Sequence, residues 1–173
     1  MPSPKPHAEL RLERFLPYRL SVLSNRVSQD IARLYSARFN LSITEWRVMA
    51  VLGHERGLSA NTVAERTAMD KVAVSRAVSA LMGKKFLNRQ TDPTDARRSS
   101  RKLSAKGYGV FDQIVPLALA YERKILAHLA PAAQNTLLAI LNTLEAAELA
   151  EKPVFITSPC SYPCQAARVC SSF

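Results

Sequence analysis

Cysteine is scarce: Cys160, Cys164 and Cys170 are the three in 173 residues, and all lie near the C-terminus. An odd number confined to one end supplies no disulfide framework, so the fold rests on a hydrophobic core. Long apolar runs are missing as well. None approaches the ~20 residues needed to span a bilayer, and the opening MPSPKPHAELRLERF has no apolar signal segment. A cytoplasmic protein without a membrane partner is expected. Acidic residues are in deficit, 14 against 24 Lys and Arg, which leaves a formal net charge of +10 and a pI near 10.0. An excess of this sign favours a polyanion such as nucleic acid or an anionic membrane surface. Glycine-rich phosphate loops, paired carboxylates and His–Glu metal spacings are all absent, and the three histidines, His7, His54 and His128, are far apart. Neither an enzyme nor a metal site nor a cofactor is expected.

The positive charge is concentrated. Between Lys84 and Lys106 there are eight basic residues (Lys84, Lys85, Arg89, Arg97, Arg98, Arg101, Lys102, Lys106) against Asp92 and Asp95, a local excess of six. More than half of the net charge therefore sits in one short stretch. The length suits one compact domain with its own core. Residues 1–14 are Pro-rich and charged and are expected to be flexible, and residues 152–173, rich in Cys, Pro and Ser, are expected to be a disordered tail. Residues 15–151 form the expected folded domain.

Within that domain most patterns are helical. Leu16, Leu20, Leu23, Val27, Ile31 and Leu34 recur at spacings of three and four, which makes one apolar stripe. Asn40 ends this helix. Ser42 and Glu45 then read as a capping box ahead of Trp46, Val48, Met49 and Leu52. Two short helices follow, the first capped by Ser59 and the second by Asp70 and running to about Lys84. On the second, Val74, Val78 and Leu81 share a narrow arc, while Val72, Arg76 and Ser79 fall on the opposite side. One face is core and the other is presented outward. FLNRQ and SSRKL read as two strands joined by a polar turn containing Pro93. A long helix containing Pro116 and a last helix starting at Pro131 complete the domain.

The order helix, helix, short helix, turn, short helix, basic hairpin, long helix, helix resembles that of the MarR family of bacterial transcriptional regulators. The resemblance is sharpest over AERTAMDKVAVSRAVSALMGKKFLNRQTDPTDARRSSRKLSAKG, where DKVAVSR matches the start of the family's recognition helix and DPTDAR its wing. It implies a mainly α fold with a small β-hairpin wing: a winged helix-turn-helix lobe (residues 42–104) flanked by dimerisation helices (residues 15–40 and 105–151). It further implies a homodimer on double-stranded DNA at a pseudo-palindromic operator, the recognition helix of about residues 70–84 in the major groove and the wing of about residues 91–102 at the minor groove.

Candidate DNA contacts follow from that placement. Lys71, Val72, Ala73, Ser75 and Arg76 occupy the first turns of the recognition helix, where unpaired backbone N–H groups and the positive dipole end favour phosphate. Arg76 has the reach for a bidentate contact to guanine, Ser75 for base or phosphate, and Val72 or Ala73 for a thymine methyl. Ser59, Asn61 and Thr62, opening the preceding helix, join them. In the wing, the resemblance implies that Asp95 orients Arg97 for the minor groove, with Arg98, Arg101 and Lys102 on phosphates. Where the family carries a glycine before the first strand this chain has Lys85, so either Lys85 takes a left-handed backbone or the helix ends early at Gly83.

The family's response to small phenolic or aromatic acid ligands makes Arg19, Ser24, Trp46, Arg47 and His54 candidate effector contacts, the cations for a carboxylate and the indole for a ring. For each, an ordinary role in the core or on the surface competes with that reading. Two alternatives stand beside the regulator: a thiol- or metal-responsive one using the three tail cysteines, and a protein-interaction module that binds no DNA.

Overall fold

The computed structural model describes residues 9–91 and 99–150. Its elements are α1 (Leu16–Phe39), α2 (Ile43–His54), α3 (Ala60–Thr67), α4 (Lys71–Gly83), β1 (Leu87–Thr91), β2 (Ser99–Leu103), α5 (Ala105–Leu126) and α6 (Pro131–Ala150). This is the mainly α architecture with a two-stranded antiparallel hairpin that the sequence predicts. Where one folded domain is expected, the chain divides into two compact units, one ending at Leu126 and the other starting at Ala127. Among the described residues, no helix is long and apolar enough to cross a membrane.

Local chemistry accounts for the helix boundaries. Asn40 closes α1 in a left-handed conformation, which asparagine tolerates better than most residues. The capping box of α2 is complete: the Glu45 N–H donates to Ser42 Oγ at 3.2 Å and the Ser42 N–H to Glu45 Oε2 at 2.7 Å. Ser59 caps α3 through the Thr62 N–H, and Asp70 caps α4 through the N–H groups of Val72 and Ala73.

In the first unit the core lies where α2, α3, α4, the hairpin and the first half of α5 meet. Val48, Met49, Leu52, Val63, Val74, Leu81 and Ile114 are fully buried, with Phe86, Leu87 and Leu103 sealing the hairpin side. Each such side chain contributes roughly 1.5–3 kcal/mol by leaving water. The apolar stripe of α1 behaves differently. Tyr35 is the one α1 residue that is buried, whereas Leu16, Leu20, Leu23 and Leu34 are exposed, Leu23 to 59%.

The carboxylate of Glu45 has a second use. It is 6% exposed, and its Oε1 accepts from Lys84 Nζ at 2.6 Å, while the same ammonium donates to the Asn40 carbonyl at 2.5 Å. One charge pair thus ties the end of α1, the start of α2 and the end of α4. Burial pushes the Glu45 carboxyl up, but the bonded Lys84 ammonium and the Ser42 N–H outweigh it and hold the group below its ordinary value. Because the folded value is the lower one, this stabilisation is present above the unfolded value of 4.5 and is lost as pH falls through the folded one. Glu45→Ala should cost about 3 kcal/mol, since it strands a partly buried ammonium and removes a cap. Denaturant titration at neutral pH checks this, and the gap between variant and parent should shrink on acidification below the ordinary carboxylate range.

Candidate nucleic-acid interface

Helix α4 presents a polar and basic face opposite its core face. Val74, Ala77, Val78 and Leu81 are buried, whereas Lys71, Ser75 and Arg76 are exposed, Ala73 is half-buried, and Val72 exposes 56% of its surface. An exposed valine at the head of a helix has no core to serve and suits contact with an apolar group such as a thymine methyl. Arg76 also lines an open cleft of about 430 Å³, bounded by Ser42, Thr44, Glu45, Ala73, Ala77 and Ala80. Small side chains on α4 leave this space beside the start of α2, and Thr44, which periodicity on α2 alone does not single out, stands next to Arg76 there.

One sequence expectation changes at this helix end. The sequence leaves the first N–H groups of α4 available to phosphate, whereas in the structure Asp70 Oδ1 accepts from Val72 at 2.9 Å and from Ala73 at 3.0 Å. A capping carboxylate saturates those donors and offsets the positive dipole end. Anion attraction at this end therefore falls to side chains, Lys71 and Arg76 above all. At α3, Ser59 and Thr62 are similarly engaged: Ser59 Oγ accepts the Thr62 N–H at 3.1 Å and lies 2.9 Å from Thr62 Oγ1. Asn61 is exposed.

The hairpin begins at a strained corner. Lys85 takes φ +61°, so the side chain standing where the family has glycine adopts the left-handed backbone, and α4 still reaches Gly83. Tertiary contacts surround this corner. Ser104 Oγ donates to the Lys85 carbonyl at 2.7 Å and accepts from the Gly107 N–H at 2.9 Å, and Lys106 Nζ donates to the Lys84 carbonyl at 3.1 Å. A Cβ at Gly107 would overlap the Phe86 carbonyl oxygen, which is why α5 can start so close to the chain leaving α4.

From there the register runs Leu87 with Leu103, Asn88 with Lys102, Arg89 with Arg101 and Gln90 with Ser100. Arg101 and Lys102, grouped by the sequence as phosphate contacts, consequently point to opposite faces. The backbone of Arg101 also bridges to Leu58, which adds a short third edge to the hairpin. Asp95, Arg97 and Arg98, with Pro93, lie outside the described residues, as do the three cysteines of the tail.

The candidate effector residues do not share one setting. Trp46 is half-buried in an aromatic row, its ring centroid 5.6 Å from that of Tyr35 and 5.8 Å from that of Phe111. Arg47 donates to Ser28 Oγ at 2.8 Å. Arg19, Ser24 and His54 are exposed. Beside Trp46 and Arg47, the buried Tyr35 hydroxyl has no hydrogen-bond partner, and burial pushes its pKa up to about 12. Among the described residues, no group of three or more His, Cys, Asp or Glu side chains is placed to hold a metal ion.

A short helix, a turn and a second helix with an outward polar face, followed by a hairpin, define a winged helix-turn-helix. Residues 39–98 match the sequence model of the MarR family. A MarR/EmrR family transcriptional regulator from Acinetobacter sp. ADP1 is similar in fold, with a TM-score of 0.75 and 23% identity over 82% of this chain and 100% of that one. The PcaV transcriptional regulator from Streptomyces coelicolor, solved in complex with its natural ligand, superposes with a TM-score of 0.64 at 25% identity, covering 84% of this chain and 100% of its own. BpsR of Bordetella bronchiseptica, whose DNA binding is regulated by 6-hydroxynicotinic acid, is similar with a TM-score of 0.69 at 20% identity over 80% of this chain and 98% of its own. No curated protein sequence matches the chain. Over residues 39–98 the chain is therefore similar in sequence to the MarR family, and its fold is that of a winged helix-turn-helix.

The corner at Lys85 is the most direct place to test the cost of the departure from glycine. Lys85→Gly should raise stability by about 1 kcal/mol by relieving the left-handed backbone of a residue with a Cβ, read as a higher denaturation midpoint at unchanged slope.

Proposed function

We propose that the chain is a homodimeric repressor or activator that binds double-stranded DNA at a pseudo-palindromic operator and is released by a small aromatic acid. The observation that carries the reading is the exposed head of α4, with Lys71, Val72, Ser75 and Arg76 turned outward beside a hairpin that concentrates positive charge. In this reading α4 enters the major groove, Arg76 reads a base, and Arg97, oriented by Asp95, reads groove width at the wing. Arg98, Arg101 and Lys102 add phosphate contacts, and Ser59, Asn61 and Thr62 steady the preceding helix on the backbone.

The homodimer is supported by unpartnered apolar surface on the outer helices. Leu16, Leu20 and Leu23 on α1, Leu117 and Leu119 on α5, and Leu137, Leu138 and Ile140 on α6 are all exposed. Side chains of this size, repeated along three helices, exceed what a soluble monomer ordinarily leaves in water. Two copies joined through such helices would set two α4 heads against successive major grooves.

For the effector, the neighbourhood of Trp46, Arg47 and the unpartnered Tyr35 hydroxyl supplies a ring surface, a cation and a polar atom. The aromatic acid that regulates BpsR makes this ligand class the first to test. Arg19, Ser24 and His54 would have to be recruited from exposed positions.

Selection of bound fragments from genomic DNA with the purified protein tests the regulator reading. A palindromic site should be enriched, and its affinity should fall steeply as salt rises. Recovery of no site, with salt-independent or absent duplex binding, would point to an interaction module. Within the selected site, Arg76→Ala should cost about 1–3 kcal/mol and relax base preference at one position per half-site. Arg97→Ala should weaken binding across all sequences. Equal losses by both variants on every sequence would refute that division of labour.

A further inference from the structure

Arg89 and Arg101 stand directly opposite each other on β1 and β2. The alternation that points Leu87 and Leu103 into the core puts both arginines on that same face, and like charges in this relation repel. Among the described residues neither has an acidic partner. The ion pairs there join Arg11 to Glu9, Arg33 to Asp30, Arg66 to Glu55 and Lys84 to Glu45.

Arg101 is also held in place. Its N–H donates to the Leu58 carbonyl at 2.8 Å and its carbonyl accepts from the Gly57 N–H at 3.1 Å. Its Nη1 donates to the Ser100 carbonyl at 3.2 Å. Its Nε–H is buried with no hydrogen-bond partner. Burial, and then the nearby charge of Arg89, lower the pKa of this guanidinium. A like-charged pair opposes folding, and an anion between the two guanidinium groups would offset that repulsion.

We propose that Arg89 and Arg101 form one anion site at the base of the hairpin that takes a phosphodiester of DNA, gripped by a guanidinium from each strand. The inference rests on the DNA-binding reading and adds to it a contact residue, Arg89, and a built geometry for Arg101. Lys102 takes no part, because it pairs with Asn88 on the other face. The site also opposes stability to binding: the repulsion that weakens the empty hairpin is the feature that holds the phosphate.

The test measures binding of the full chain to a mixed-sequence duplex across a salt series, for the parent, Arg89→Gln, Arg101→Gln and the double variant. Each single change should weaken low-salt binding about tenfold, and the double change should add little to either, as expected for two groups on one phosphate. The log–log salt slope of the dimer should become shallower by about 2, one phosphate contact in each half-site. The melting temperature of DNA-free Arg89→Gln should be no lower than the parent's. Unchanged affinity and slope in Arg89→Gln, while Arg76→Ala weakens binding, would overturn the inference and leave the regulator reading standing. A melting temperature that falls in step with affinity would overturn it in favour of a structural role. If the parent binds no duplex, the regulator reading fails and takes the inference with it.

Discussion

The Glu45–Lys84 pair is the constraint on which the geometry of the presented surface depends. Its 2.6 Å bond crosses from the first turn of α2 to the end of α4, and the same ammonium reaches the carbonyl of Asn40, the residue that closes α1. A carboxylate this well buried is stable only with its partner in place. Three helix ends are consequently held at one point. The position of α4 is set there, at its C-terminal end, while its exposed N-terminal end is left unencumbered. The residues just beyond carry the constraint onward, since the carbonyls of Lys84 and Lys85 accept from Lys106 and Ser104 at the start of α5. Helix α4, the hairpin base and α5 thus share one hub.

Around that hub the molecule trades stability for presentation. Lys85 accepts a left-handed backbone so that the chain can turn from α4 into β1. Val72 remains in water, and Arg89 faces Arg101 without a counter-ion among the described residues. Such departures from good local chemistry concentrate where function is proposed. The core beneath is apolar where α2, α3 and α4 meet, with Val48, Met49, Leu52, Val63, Val74 and Leu81 fully buried. A rigid apolar base of this kind lets a polar face be costly without unfolding.

Much of the fold was legible in the chain. The caps at Ser42, Ser59 and Asp70, the core face of α4 and both strands stand where spacing and residue type predict. What was not legible shares one property. Glu45 is read from the sequence as a cap, but its second bond is to a residue 39 positions away, and nothing local announces it. In the sequence Arg89 is one charge among several, because its opposition to Arg101 needs the hairpin register that places Leu87 against Leu103. The expectation of open N–H groups at the head of α4 missed that Asp70, correctly read as the cap, would occupy two of them.

The helices, their ends, the hairpin and the concentration of charge follow from residue order alone, because capping, periodicity and turn chemistry act within about four residues along the chain. Which charges are buried against each other, which arginines are opposed, and that the stripe of α1 faces outward instead of into the core of its own unit are set by packing. Those outcomes depend on what packing brings together across tens of residues, where the desolvation of a charge or an apolar face is set by neighbours that the local pattern does not name.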